Sequence, residues 1–161
     1  MRCKLASASI AFGICAMASP LAQAATGTSV FTGTVLSTCV IGPVGTPGIM
    51  AASADLKKLS SKIAGGTPST MALTTTGGVT VSVSPTVTDV SLALGDVGDI
   101  TWTPSIAISG THSFLDGIID RVLSTAGVDT VTINLEGEKS GNNVFTTGAY
   151  VATVTVTCEP N

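Results

Sequence analysis

The sequence predicts an all-β domain, an antiparallel β-sandwich carrying one short helix. Three observations lead there. Apolar residues alternate with threonine, serine and asparagine in short runs, and turn-forming residues separate the runs. Charged residues make up only 11% of the chain and aromatics 4%, so threonine supplies much of the wetted surface, which suits strands better than helices. Two cysteines, Cys39 and Cys158, stand near opposite ends of what remains once an N-terminal export signal is removed.

That signal comes first in the chain. Arg2 and Lys4 form a short basic region, Ile10 to Ala18 an apolar stretch, Pro20 a break, and Ala22-Gln-Ala24 a small-x-small cleavage pattern. The apolar stretch falls well short of the roughly 20 residues that span a bilayer, so stable membrane insertion is not expected. Bulky Ile14 precedes Cys15, which argues against lipid attachment there. The expected organisation is a signal peptide over 1–24 and one sandwich domain over 25–161.

Removing 24 of the 161 residues leaves 137, enough for one core that buries roughly two-thirds of the unfolded surface. The removed segment holds two basic residues and no acidic ones, so the net charge moves from −3 to −5. With no basic patch for phosphates, nucleic acid is not an expected partner. The two remaining cysteines, in an exported chain, read as one disulfide with a single connectivity, Cys39–Cys158.

The first strand places Phe31, Val35 and Cys39 on one parity and is expected to end at the Gly42-Pro43 and Pro47-Gly48 turns. Asp55 to Ile63 spaces Leu56, Leu59 and Ile63 as a helix would, yet an edge strand fits equally well. Gly65 to Pro68 and Thr74 to Gly78 read as hairpin-scale loops. Val79, Val81 and Val83 alternate with Thr80, Ser82 and Ser84 until Pro85. Val90, Leu92 and Leu94 follow, closed by Gly95-Asp96 and Gly98-Asp99. Ile100, Trp102, Ile106 and Ile108 share a face up to Ser109-Gly110. Ser113 to Ser124 spaces Phe114, Ile118 and Val122 four apart, with Ser113 as N-cap and Asp116 in the first turn, and this is the expected helix. Val131, Ile133 and Leu135 alternate with Thr130, Thr132 and Asn134 before a turn over Gly137 to Asn143. The last run puts Tyr150, Ala152, Val154, Val156 and Cys158 on one face and Thr153, Thr155 and Thr157 on the other.

Few residues suggest chemistry. His112 is the only histidine, flanked by Ser113 and Asp116, and a hydrolase would need a nucleophile hydrogen-bonded to it in a shaped pocket. No Gly-x-Ser-x-Gly elbow is present, and His112 reads as a loop residue at the mouth of the expected helix. One histidine and two oxidised cysteines do not assemble a zinc site. Asp96, Asp99, Asp116 and Asp120 are read as turn and surface residues rather than as a calcium site, which needs six to eight oxygen ligands. Trp102 and Tyr150 share parity with core aliphatics, so they read as core rather than as a sugar platform. No motif calls for an enzyme or a cofactor.

An export signal, then Ser29-Val-Phe-Thr-Gly-Thr-Val-Leu-Ser-Thr-Cys39-Val, then a closing Gly148-Ala-Tyr-Val-Ala-Thr-Val-Thr-Val resembles the subunits of chaperone–usher pili. The archaic branch, grouped as spore-coat-protein-U-like domains, is the nearest in pattern, and the resemblance is concentrated at the two ends. It implies an immunoglobulin-like sandwich lacking one strand, with an apolar groove along the gap. A periplasmic chaperone fills that groove in transit past an outer-membrane usher, and the N-terminal segment of a neighbouring subunit later replaces it. On that pattern the donor is Ala25 to Gly33, with Val30 and Phe31 its bulky residues, and Tyr150, Val154 and Val156 line the groove. The implied location is the periplasm in transit, then the cell surface, a fimbrium or the medium. Beside this reading stand a self-sufficient secreted or surface β-sandwich that binds a ligand without polymerising and, more remotely, a periplasmic hydrolase.

Intact mass spectrometry of the exported protein should show a chain that begins at Ala25. A mass retaining residues 1–24, or one increased by acyl chains, would contradict cleavage by an ordinary signal peptidase.

Overall fold

A computed structural model describes residues 29–84, 88–91, 95–96 and 99–161, with only the backbone for 88–91. The expected export signal, residues 25–28 of the expected donor, and Pro85, Leu92, Leu94 and Gly98 lie outside the described residues. The chain divides into two units, Met1–Gly33 and Thr34–Asn161. Of the first, residues 29–33 are described, without regular structure, and Val30 and Phe31 are exposed.

The second unit is the sandwich. Its strands are β1 (Cys39–Thr46), β2 (Ala51–Ala52), β3 (Lys58–Ser60), β4 (Ser69–Thr75), β5 (Val79–Val83) and β6 (Thr88–Ser91). They continue as β7 (Ile100–Gly110), β8 (Phe114–Gly117), β9 (Arg121–Leu123), β10 (Gly127–Lys139), β11 (Val151–Thr153) and β12 (Val156–Pro160). All the pairings are antiparallel, and no helix occurs among the described residues.

Strand β10 organises the larger sheet. One edge pairs with the whole of β7, from Asp129↔Gly110 to Lys139↔Ile100. The other edge pairs first with β4 and then with β3. Outside these lie β1 on β4, β2 on β3 and β8 on β7. The second layer is the ladder β12-β5-β9, with β11 on β6. Ser84 N donates to Thr155 O at 2.8 Å and extends the β5–β12 pairing by one rung.

The alternation read from the sequence supplies the core. Val79, Val81 and Val83 of β5, Ile106 and Ile108 of β7, Leu123 of β9, Val131 and Ile133 of β10 and Leu73 of β4 are buried together between the layers. Gly137 continues the inward row of β10 because Trp102 lies across it; a Cβ there would fall 2.5 Å from the indole. A glycine in a strand lets a large ring lie flat on the backbone. The ring itself stays half-buried.

Three expectations are corrected. The helix over Ser113–Ser124 does not form: its residues make β8 and β9, and the chain crosses from one sheet to the other between them. Ile118 and Val122, meant for a buried helical stripe, are exposed. Gly117 and the β-branched Ile118, Ile119 and Val122 disfavour a helix, and ladders with β7 and β5 take up the backbone instead. His112 therefore stands at a strand turn, not at a helix mouth. The first strand begins at Cys39 rather than near Phe31, and it runs through Gly42-Pro43 with two register irregularities. Proline is tolerated there because β1 is an edge strand whose ladder is already bulged. Finally, Thr74 and Thr75, expected in a loop, close a strand over Ser69–Thr75, with Met71 half-buried and Leu73 and Thr75 buried. The open choice at 55–63 falls to a strand, β3, though not to an edge, since it lies between β10 and β2 and is entered through Leu56 in the left-handed region at φ 57°.

Cys39 and Cys158 form a disulfide, with Cα atoms 6.3 Å apart, between the edge strands of the two layers. The closed loop spans 119 positions, and chain entropy assigns such a loop about 4–5 kcal/mol. Urea unfolding with and without reductant should show a difference of that order. Equal midpoints would mean that the unfolded chain gains nothing from the cross-link.

Candidate functional site

The two sides of the sandwich close differently. On one side the β8–β9 crossing joins the sheets, with Arg121 Nη2 donating to Leu115 O at 2.7 Å and the guanidinium 5.5 Å from the centre of the Phe114 ring. On the other side the edges are β1 and the closing run β11–β12. Among the described residues β1 pairs only with β4, β11 only with β6, and β12 only with β5. The disulfide holds these two edges together at one end.

Away from the disulfide the edges part and leave an apolar cleft. A recess of about 250 Å³ is lined by Val44, Ile49 and Met50 on one lip, Met71, Ile133 and Leu135 on the floor, and Ala152 and Val154 on the other lip. A second recess of about 400 Å³ adjoins it, sharing Gly48, Ile49, Met50 and Ala152 and reaching Leu59, Tyr150 and Val151. Apolar groups meet water here: Val44 is 54% exposed and Ile49 56%. The inward face of the closing run stays half-buried from Tyr150 through Ala152, Val154 and Val156 to Cys158, whereas the same face of its neighbour β5 is buried. A strand packed on only one edge shows this burial pattern.

The sequence-derived groove residues therefore lie in different surroundings. Val154 lines the first recess and Tyr150 the second, while Val156 packs against the core. Tyr150 is also anchored: its hydroxyl donates to Asp96 and accepts from Thr146 N at 3.0 Å, and its ring meets Phe145 edge-on at 5.2 Å. The lip formed by Val44 and Ile49–Met50 was not legible in the sequence, because the Gly/Pro-rich stretch there reads as turns.

Two polar clusters sit apart from the cleft. His112 Nδ1 lies 2.7 Å from Asp129 Oδ2, His112 N donates to Asp129 Oδ1 at 2.7 Å, and Nε2 lies 3.0 Å from Thr125 Oγ1. Its partners are thus Asp129 and Thr125, not the neighbouring Ser113 and Asp116. The cluster fastens the turn after β7 to β10, at a place where Gly110 with φ 138° keeps the backbone close to Asp129. The second cluster covers the outer face of the large sheet. Asp116 pairs with Lys62 at 2.5 Å and accepts from Ser105 at 2.9 Å and from Asn134 at 3.1 Å. Burial pushes the Asp116 carboxyl up, but the bonds from Lys62, Asn134 and Ser105 outweigh it and hold it below the usual carboxylate range. Asp120 takes no part in this cluster, and Asp96 turns inward onto Lys139 and Tyr150 rather than outward beside Asp99. No protein-family model, curated protein or solved structure matches the chain.

A carboxylate favoured in the folded state stabilises the fold above its unfolded value, near 3.8, and that contribution is lost as pH falls through the lower folded value. The unfolding free energy should therefore drop as pH falls below about 4, and Asp116→Asn should flatten that acid limb. An unchanged acid limb in the variant would count against the Asp116 cluster. Because the side chain is one-third exposed, the effect is small.

Proposed function

We propose that the protein is an exported structural subunit of a surface pilus or fibre, assembled by β-strand addition between copies. One observation carries this reading: two strand edges, unpaired among the described residues, flank an apolar cleft whose inward side chains are only half covered. Unpaired backbone donors and acceptors beside apolar pockets are what an added strand needs. Main-chain bonds supply affinity, and alternate side chains fill the pockets.

The proposed occupant is residues 25–33 of a second copy. Val30 and Phe31 are 85% and 92% exposed, so this segment presents bulky apolar groups that a partner's cleft would take from water. Phe31 alone offers a burial gain of about 1.5–3 kcal/mol. Each copy then gives a strand and receives one, a head-to-tail contact that does not close on itself and so builds fibres. A periplasmic chaperone would shield the same cleft before assembly. The resemblance of the two chain ends to chaperone–usher subunits supports this reading.

Size-exclusion chromatography and electron microscopy of the purified exported chain should reveal polymers. Deleting residues 25–33, or making Phe31→Asp on the donor or Ile49→Asp on the lip, should leave monomers, because a charge would have to enter an apolar site. Both point substitutions fall on exposed side chains, so the fold should survive them. A wild-type chain that stays monomeric and refolds reversibly would instead favour a self-sufficient secreted sandwich.

A further inference from the structure

The inward row of β10 ends on a lysine. Val131, Ile133, Leu135 and Gly137 face inward, and Lys139 follows on the same parity with a side chain that is 0% exposed. Lysine stems ordinarily carry the ammonium back out to water. Here Nζ meets the carboxylate of Asp96, also 0% exposed. The Phe145 ring covers the amine at 5.3 Å, and the Tyr150 hydroxyl donates to the other Asp96 oxygen. Phe145 is itself 5% exposed and packs edge-on against Tyr150. A primary amine and a carboxyl group are thus held in contact, away from water, with a phenol hydrogen-bonded to the carboxyl.

We propose that Lys139 and Asp96 condense to an intramolecular amide, a covalent cross-link between the end of β10 and the turn before β7. Keeping two charges out of water is costly, and transfer of one proton from the ammonium to the carboxylate leaves a neutral amine beside a neutral acid. The amine lone pair attacks Asp96 Cγ while the Tyr150 hydroxyl polarises the carboxyl group. A C–N bond forms and a C–O bond breaks. The departing hydroxyl takes the second amine proton and leaves as one water, and the amide keeps one N–H and one carbonyl. No oxidant, metal or second substrate enters the balance. Fixed contact in a dry pocket supplies the effective concentration that an amine and an acid lack in solution. The amide removes both buried charges.

Mass spectrometry of the exported full-length product, denatured and reduced, tests this directly. The expected mass is one water below that of its sequence, and proteolysis should yield a branched peptide joining Asp96 to Lys139. Lys139→Arg should show the full sequence mass. Asp96→Asn should lose ammonia instead of water and reach the same final mass as the wild type. Tyr150→Phe should accumulate the link more slowly than the wild type; linkage at an equal rate would remove Tyr150 from the reaction. A wild-type chain with its full sequence mass, whose Lys139 is acetylated readily after unfolding, would overturn the proposal. So would a water deficit that persists in Lys139→Arg. Neither readout depends on polymer formation.

Discussion

The sandwich depends on the inward face of one long strand. β10 is hydrogen-bonded along both edges, to β7 on one and to β4 and β3 on the other, so its register positions most of the larger sheet. Its inward row is apolar in the middle and charged at both ends, with Asp129 and Lys139 each 3% exposed. Each charge is met by a partner from elsewhere in the chain, His112 for one and Asp96 for the other. A slip of one residue would expose both charges and turn Thr130, Thr132 and Asn134 into the core. The two charged ends therefore act as register stops, at the cost of desolvation that only a correctly placed partner offsets.

What the sequence revealed and what it concealed follow from how far each signal extends. Strict alternation of β-branched residues marks β5, the second half of β7, β10 and the closing run, because period-two patterning is local. The disulfide was legible because only two cysteines follow residue 24. Strand β4 was concealed: its threonines read as loop, and its burial comes from the strands on either side. The stretch over 113–124 shows apolar residues at helical spacing, yet Asp116 is held on the outer face of β7 and Leu123 in the core of the other layer. One helix cannot satisfy both placements. The partners of His112 were equally hidden, since Asp129 lies 17 positions away and meets it through the pairing of β7 with β10. Of the cleft, the lip on the closing run was readable as alternation, while the lip around Ile49 belongs to a bulged edge with no periodic signal.

The two long sides of the sandwich solve the same problem by different means. Where β8 passes into β9, the chain itself bridges the layers, and Arg121 fastens the crossing through Leu115 and Phe114. Where β1 faces β12, no chain crosses among the described residues, and a covalent bond stands in. That bond acts at a point rather than along a ladder. It brings the edges together at Cys39 and leaves them free to part toward Ile49 and Tyr150, so the cleft follows from where the cross-link sits.

The same cross-link also routes mechanical load. Cys39 opens the first strand, β1, and Cys158 lies in the last, β12. Tension applied between a point before Cys39 and a point after Cys158 passes through the sulfur–sulfur bond and bypasses the closed loop, whose ends are 119 positions apart. Apart from bonds outside the closed loop, at Ser37–Thr38 and at Glu159–Pro160, the ladders and the valine core are then shielded from that pull. With the bond reduced, the same pull would peel β1 from β4 and β12 from β5, each an edge strand released one rung at a time. Oxidation thus separates the chain's resistance to end-to-end force from its thermodynamic stability.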